Sequence, residues 1–348
     1  MSTDRTRDAA VRNAEVMSRF MEGLSQAPAP PERVDPVAVR VVRDLAFHAA
    51  DGDGNTDAAL RMDLYLPQAA TTDDASPTAP LIVWFPGGGW RNQRRGNGPR
   101  LARLFAERGY AMADIEYRSS DIAPWPAQLH DVLAALGHLR SLADDHGLDA
   151  EAIGLWGSSA GAHLALLAAL ATAPDGTAAV PGVRAVVAGY PPTDLLRLDE
   201  DALPGGVLGV DASDPAWGLL GGPPAERPEA AVAASPARHA HPDAPPVLLL
   251  HGDADVVVGP RQSVRLHDAL TAAGAESHLL LVRGADHGFL NTADWELRPR
   301  SATAYSSSSP GTVRPALLTP ALVERFFDHH LRTDPWNANT KAKAKAHV

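Results

Sequence analysis

The 348-residue sequence contains no cysteine. Thiolate nucleophiles, disulfides and the zinc or iron–sulfur sites that need cysteine ligands are therefore excluded, and the redox compartment is left open. Lysine is nearly as scarce, since Lys341, Lys343 and Lys345 in the C-terminal tail are the whole complement. The body of the chain thus has no ammonium for a Schiff base, a P-loop or a Ser–Lys pair. Long apolar runs are also missing: stretches such as 164–171 fall short of the roughly 20 residues that span a bilayer. Residues 1–22 are charged and lack the apolar centre of a secretion signal. Excess positive charge is absent too, with a net charge of -11 and a pI near 5.6. Phosphate recognition needs clustered cations, so no nucleic acid is expected as a partner, and the short apolar runs lead to the expectation of no membrane. The one basic stretch, Arg91, Arg94, Arg95 and Arg100, reads as a solvated loop and helix start. A soluble, cytoplasmic protein is expected, with homodimerisation left open.

What is present is enough apolar residue, 45% of the chain, to bury a large core. Residues 1–36 read as an N-terminal helical arm or cap segment, broken by Pro28, Pro30, Pro31 and Pro36. Residues 37–332 read as one catalytic domain and 333–348 as a flexible tail. β-like stretches at 39–48 and 60–66 flank an Asp- and Gly-rich segment at 51–57. That segment fails as a calcium loop, because Thr56 stands where glycine is needed and Met62 where a bidentate Glu is needed.

From Leu81 onward, short apolar runs alternate with helical stretches. Strands are expected at 81–85, 111–116, 152–156, 183–188, 247–251 and 278–282. Helices are expected near 98–108 and at 126–145, 160–171, 261–273 and 320–331. Such alternation means right-handed crossovers and an α/β fold, a mostly parallel central sheet with helices on both faces. Residues 191–236, rich in Pro and Gly, have the composition of an inserted cap. Residues 291–314, with four consecutive serines at 306–309 and then Pro310-Gly311, read as an irregular, mobile loop.

Gly157-Ser158-Ser159-Ala160-Gly161 lies where an expected strand meets an expected helix. Glycine two positions to either side of Ser159 permits a sharp turn that lifts its hydroxyl from the sheet edge. A serine hydroxyl needs a base, an acid to orient that base, and donors for the oxyanion. With cysteine and body lysine gone, histidine is the base left. His287, in Gly284-Ala-Asp-His-Gly-Phe289, follows the last apolar run of the parallel series. Asp255, in His251-Gly252-Asp253-Ala254-Asp255, follows the run before it and completes a Ser–Asp–His order; Asp253 is its rival and reads better as a turn residue. Asp286 reads as structural or solvent-facing. The amides of Gly87 and Gly88, in Pro86-Gly-Gly-Gly-Trp90, with that of Ala160, are candidate oxyanion donors. Trp90, Trp217 and Leu219 are candidates for the substrate pocket. Trp156 and His163 flank the turn; Trp156 reads as a core residue and His163 as packed or hydrogen-bonded rather than catalytic.

These segments, with Glu116-Tyr117-Arg118, Trp125-Pro-Ala-Gln-Leu-His-Asp131 and Tyr190-Pro-Pro-Thr-Asp194, resemble the α/β-hydrolase superfamily, in its esterase/lipase branch of hormone-sensitive-lipase-like and related bacterial esterases. The resemblance covers roughly residues 60–290. It implies a serine hydrolase that cleaves carboxylic esters of small to medium acyl groups through an acyl-enzyme, with no cofactor and no metal. An amidase or formamidase on the same residues is the alternative, and a non-catalytic ligand-binding homologue is a more distant one. The chain departs from the family at Pro86, where a histidine that helps hold the oxyanion loop is usual, at Ser119-Ser-Asp-Ile-Ala-Pro124, and in its long 291–314 segment.

Overall fold

The computed structural model describes residues 38–47, 59–67, 78–96, 105–172, 180–206, 214–292 and 298–332. The arm expected over 1–36, the 51–57 turn, the tail 333–348 and most of the helix expected near 98–108 lie outside the described residues. The strands are β1 (Val39–Phe47), β2 (Leu60–Pro67), β3 (Ala79–Phe85), β4 (Ala111–Ile115), β5 (Leu148–Ser158), β6 (Val183–Gly189), β7 (Val247–Gly252), β8 (Ser277–Val282), β9 (Arg300–Ser306) and β10 (Arg314–Leu318). They form a single sheet in the order β1-β2-β4-β3-β5-β6-β7-β8-β9-β10. The stretch from β4 to β8 is parallel throughout, and antiparallel pairs finish both edges. Parallel strands need helical crossovers that cover both faces, which is why the buried stretches of β3 and of β5 to β7 are largely apolar rather than alternating, while β4 carries one buried carboxylate, Asp114.

The main helices are α1 (Ala127–Ser141), α2 (Ala143–His146), α3 (Ala160–Leu170), α4 (Leu198–Asp201), α5 (Pro215–Leu220), α6 (Pro228–Ala233), α7 (Arg261–Ala273) and α8 (Pro320–Leu331). Successive side chains of β3 go to opposite faces, as the two-residue strand period requires. Leu81, Val83 and Phe85 join a core with residues of α1 and α3, whereas Ile82 and Trp84 join a second core with Trp156, Phe105 and Phe327. All eleven residues of α3, Ala and Leu with one His and one Gly, are buried. A helix apolar on every side belongs in an interior.

On the other face, α8 starts at a Thr319 cap whose side chain accepts from the Leu322 amide, with Pro320 in the first turn. It buries Val323, Phe327 and Leu331, four residues apart on one stripe. Gly154 makes room for that stripe, since a Cβ there would sit 2.6 Å from the Phe327 ring.

Two expectations need correction. Residues 291–314 are not an irregular loop throughout. β9 pairs antiparallel with β8, and β10 with β9, so the segment extends the sheet. Arg300-Ser-Ala-Thr-Ala-Tyr-Ser306 has small and polar side chains that conceal a strand, and pairing with β8 supplies what local composition does not. Ser307, Ser308, Ser309 and Gly311 (φ 76°) occupy the turn of this hairpin. The strand at 152–156 also starts earlier than its apolar run, at Leu148, because Ala79 and Pro80 of β3 pair with Leu148 and Asp149.

The segment 191–236 leaves the sheet after β6 as short helices and returns before β7; residues 207–213 of it lie outside the described residues. Its contacts run to the loop after β3, to the chain before α1 and to α3. Pro215 would lie 3.1 Å from a Cβ on Gly89, Leu219 O accepts from the Trp125 amide at 2.8 Å, and Ala234 O from the His163 ring at 2.6 Å.

Phe327 is fully buried against Trp156 and Phe105. Phe327→Ala is expected to lower the unfolding free energy by about 3–5 kcal/mol. Urea denaturation followed by tryptophan fluorescence reads this, and a loss under about 1 kcal/mol would contradict the docking of α8 described above.

Candidate active site

β5 ends at Ser158, α3 begins at Ala160, and the residue between them, Ser159, has φ 52° and ψ -123°. Positive φ is costly for a residue with a Cβ, so the surroundings must impose it. They do so through backbone crowding that leaves no room at the flanking glycines. A Cβ on Gly157 would lie 2.6 Å from the Gly161 carbonyl carbon, and one on Gly161 only 2.1 Å from Phe85 O. The Ser159 amide is tied to Gly189 O of β6 at 2.8 Å. Ser158 is fully buried, while Ser159 keeps partial exposure.

Ser159 Oγ lies 2.9 Å from His287 Nε2, and His287 Nδ1 lies 2.7 Å from Asp255 Oδ2. A carboxylate only accepts, so Nδ1 carries the proton and Nε2 accepts from the serine hydroxyl. The residues are 128 and 32 positions apart in the chain, and the C-terminal ends of three parallel strands bring them together. Such a relay can take a proton from a hydroxyl as it attacks a carbonyl and hand it to a leaving group.

Asp255 is fully buried, which by itself opposes ionisation. The charge and hydrogen bond of His287, with the hydrogen bond of His251, outweigh burial and hold its carboxyl well below the usual carboxylate range. Its other oxygen, Oδ1, accepts from the amides of Val257 (2.9 Å) and Val258 (2.8 Å). Asp253 Oδ1 instead takes the Gly284 amide at 2.6 Å, and Asp286 Oδ1 takes those of Val256 (3.2 Å) and His287 (2.7 Å). Both therefore tie the two turns that present Asp255 and His287.

After β3, the chain runs through Gly88 (φ 134°), Gly89 (φ 60°) and Trp90 (φ 58°). Gly88 O accepts from the amides of Arg91 and Asn92, which closes the turn. A Cβ on Gly87 would meet Ser158 O at 2.8 Å and lie 3.4 Å from the Ser159 Cβ, so this loop rests directly on the elbow. The Ala160 amide, at the first position of α3, has no intrahelical acceptor. The amides of Gly87 and Gly88 engage no acceptor among the described residues.

Three tethers hold the loop. Tyr117 Oη donates to Pro86 O at 2.7 Å, the Ser120 amide to Trp90 O at 2.8 Å, and Trp90 Nε1 to His163 Nδ1 at 3.2 Å. Trp90 and Leu219, expected in the substrate pocket, are both buried. The Trp90 indole is buried under the loop against the His163 ring, and Leu219 is fully buried in the core that includes α3. Trp217, on α5, keeps partial exposure.

The sequence reading missed the parts played by two residues near the relay. Tyr190, at φ 40°, sets its buried ring edge-on to the His287 ring, with centroids 4.6 Å apart. Only its place directly after a strand-ending glycine could have pointed to it. His251 lies behind Asp255, and its signal was a polar residue inside an apolar strand. His163 is packed and hydrogen-bonded as expected: Nε2 donates to Ala234 O, which leaves Nδ1 to accept from Trp90. The signal there was a lone polar residue in an Ala/Leu helix. Among the described residues no cluster of His, Asp or Glu is arranged to hold a metal, and no helix is long and apolar enough to cross a membrane.

The sequence of residues 62–270 matches the BD-FAE family. The chain belongs to the BD-FAE family. This BD-FAE chain is 30% identical over 246 residues to the probable carboxylic ester hydrolase LipM of Mycobacterium tuberculosis, covering 68% of this chain and 55% of that protein. It is 34% identical over 206 residues to esterase LipQ of the same organism, covering 57% and 47%. A truncated form of a carbohydrate esterase from gut microbiota has a similar structure, with a TM-score of 0.61 at 28% identity over 77% of this chain and 93% of that one. The BD-FAE chain spans about half the length of these two mycobacterial relatives. Its sheet order and crossovers are those of the α/β-hydrolase fold.

Burial lowers the pKa of His163 from 6.5 to about 4. A folded-state pKa below the unfolded one gives stability that is present above pH 6.5 and lost as pH falls toward 4, about 3 kcal/mol in all. Asp114, pushed up to about 7 by burial and by neighbouring Asp63, acts with the opposite sign. Comparison with a variant therefore isolates the histidine. His163→Gln is expected to lose less stability than the unsubstituted protein between pH 7 and pH 4.5 in guanidinium melts; equal losses would contradict a buried neutral His163.

Proposed function

We propose that this BD-FAE chain hydrolyses carboxylic esters of small to medium acyl groups through an acyl-enzyme formed on Ser159. The observation that carries this reading is the continuous hydrogen-bonded relay from Asp255 through His287 to Ser159, on a strained elbow beside amides with no internal acceptor. The esterase names of the relatives support it.

Ser159 Oγ attacks the ester carbonyl carbon while its proton passes to His287 Nε2. Asp255, held ionised, stabilises the imidazolium and fixes the ring. The carbonyl oxygen, now an oxyanion, accepts from the amides of Gly87, Gly88 and Ala160; single donors of this kind are typically worth ~3 kcal/mol. Collapse breaks the C–O bond, and His287 returns the proton to the departing alcohol. Water then attacks the acyl-enzyme, giving its proton to His287 and releasing the acid as Ser159 regains a hydrogen. Every step uses side chains and amides of this chain, and the partner is a small-molecule ester.

Chromogenic esters of increasing acyl length test this directly. Turnover is expected to peak at short to medium chains, with a fluorophosphonate labelling one serine per chain. Ser159→Ala is expected to abolish the label and reduce kcat by ~10⁴-fold or more, and Asp255→Asn to reduce kcat by ~10⁴-fold with labelling slowed. A protein that neither labels nor turns over any ester would overturn the reading, and so would labelling retained in Ser159→Ala.

A further inference from the structure

The relay does not end at Asp255. His251, the fifth residue of β7, is fully buried and lies behind the carboxylate. Its Nε2 is 2.8 Å from Val258 O and 3.3 Å from Asp255 Oδ2. A carbonyl oxygen and a carboxylate oxygen can only accept, so Nε2 bears a proton shared between them. Nδ1 lies 2.7 Å from Ser263 Oγ, on the first turn of α7, and in the neutral ring accepts the serine proton. Asp255 Oδ2 thus stands between two imidazole N–H groups, and Oδ1 between two backbone amides. The charged groups near this arrangement have other engagements: Asp253 with Gly284, Asp286 with Val256, and Arg261 with Asp201 at 3.4 Å.

We infer that His251 is a positioning residue for the ester-cleaving reaction, acting through Asp255, with Ser263 fixing its tautomer. The inference rests on the function proposed above. Without the Nε2 donor, Oδ2 has one hydrogen-bond partner instead of two, and the carboxylate plane is fixed only by the two amides on Oδ1 and by the mobile ring of His287. The orientation it imposes on His287 loosens with it. The negative charge no longer shared with His251 falls on His287, which favours the imidazolium and moves the acid limb of the rate profile to higher pH. Ser263 matters because a ring that flipped its proton to Nδ1 would turn a lone pair toward both Val258 O and Asp255.

The test uses the full chain with His251→Phe, His251→Gln and Ser263→Ala. Glutamine places an amide N–H near the position of Nε2 and is the conservative variant. In His251→Phe, kcat is expected to fall about ten- to a hundred-fold with KM changed less than about twofold, and the acid limb of kcat/KM to move to higher pH. The downfield proton resonance of His287 Nδ1–H is expected to shift or broaden. His251→Gln is expected to restore most of kcat and the resonance, and Ser263→Ala to give a smaller loss of the same kind. A folded His251→Phe with unchanged kcat, pH profile and resonance would overturn the inference. If that variant does not fold, an unchanged kcat and resonance in Ser263→Ala, or a His251→Gln that restores neither, overturns it instead. Should the unsubstituted protein cleave no ester, the proposed function fails, and the resonance compared across the variants still decides whether His251 orients the pair.

Discussion

Close approach of backbone to backbone at the elbow is the constraint on which the remaining geometry depends. Gly161 presses on Phe85 and Pro86 at the end of β3, Gly157 presses on the first turn of α3, and Gly87 lies against Ser158 and Ser159. Side chains at these positions would push β3, β5 and α3 apart. With only hydrogen there, the loop that carries the candidate oxyanion donors and the helix that carries Ala160 are brought to the same serine. The strain of positive φ at Ser159 is of order 1–3 kcal/mol, small beside the burial of the apolar helix α3 that holds the turn in place.

Polar groups sunk in this core are handled by two different rules. Asp255 stays ionised because four donors converge on its two oxygens, and a buried charge is tolerable only when paired and hydrogen-bonded. His163 is held neutral by burial, and neutrality leaves Nδ1 with the lone pair that receives the Trp90 indole proton. One group works because it is charged, and the other because it is not. Both lie within hydrogen-bonding distance of the parts that would handle a substrate carbonyl.

Much of this was legible in the sequence, for reasons that differ between elements. α7 and α8 match their expected spans because each has an amphipathic stripe with clear stops, Pro260 and Gly274 for one and Thr319-Pro320 for the other. The six parallel strands were legible as apolar runs at crossover spacing. β9 was not, because Ser, Thr and Ala carry little strand signal and its pairing with β8 is a contact that local pattern does not encode. At the site, Gly157 and Gly161 singled out Ser159, since spacing around a tight turn is a local property. The burial of Trp90 and Leu219 was not legible, because an aromatic or aliphatic side chain next to a reactive loop looks the same in sequence whether it is exposed or packed. Tyr190 and His251 act on partners 97 and 4 residues away through ring and carboxylate contacts, which no spacing rule records.

The loop with the candidate oxyanion donors begins at a proline, Pro86, where a histidine is usual in the resembling esterases, and it is held in other ways. Proline offers no amide hydrogen and no polar side chain, but its carbonyl is available and its φ is fixed, which narrows the conformations the loop can adopt. Tyr117 uses that carbonyl from outside the loop, and burial keeps the phenol protonated by raising its pKa, so it is a dedicated donor. At the other end Trp90 is gripped twice, through its carbonyl by Ser120 and through its indole by His163. The loop is thus anchored by the elements around the glycines rather than by a side chain of the residue before them. Those elements, the chain before α1 and the helix α3, are themselves fixed by the fully buried Asp131 against Arg118 and by the core packing of α3. The loop is therefore as rigid as the fold beneath it, and three glycines in succession need not make it loose.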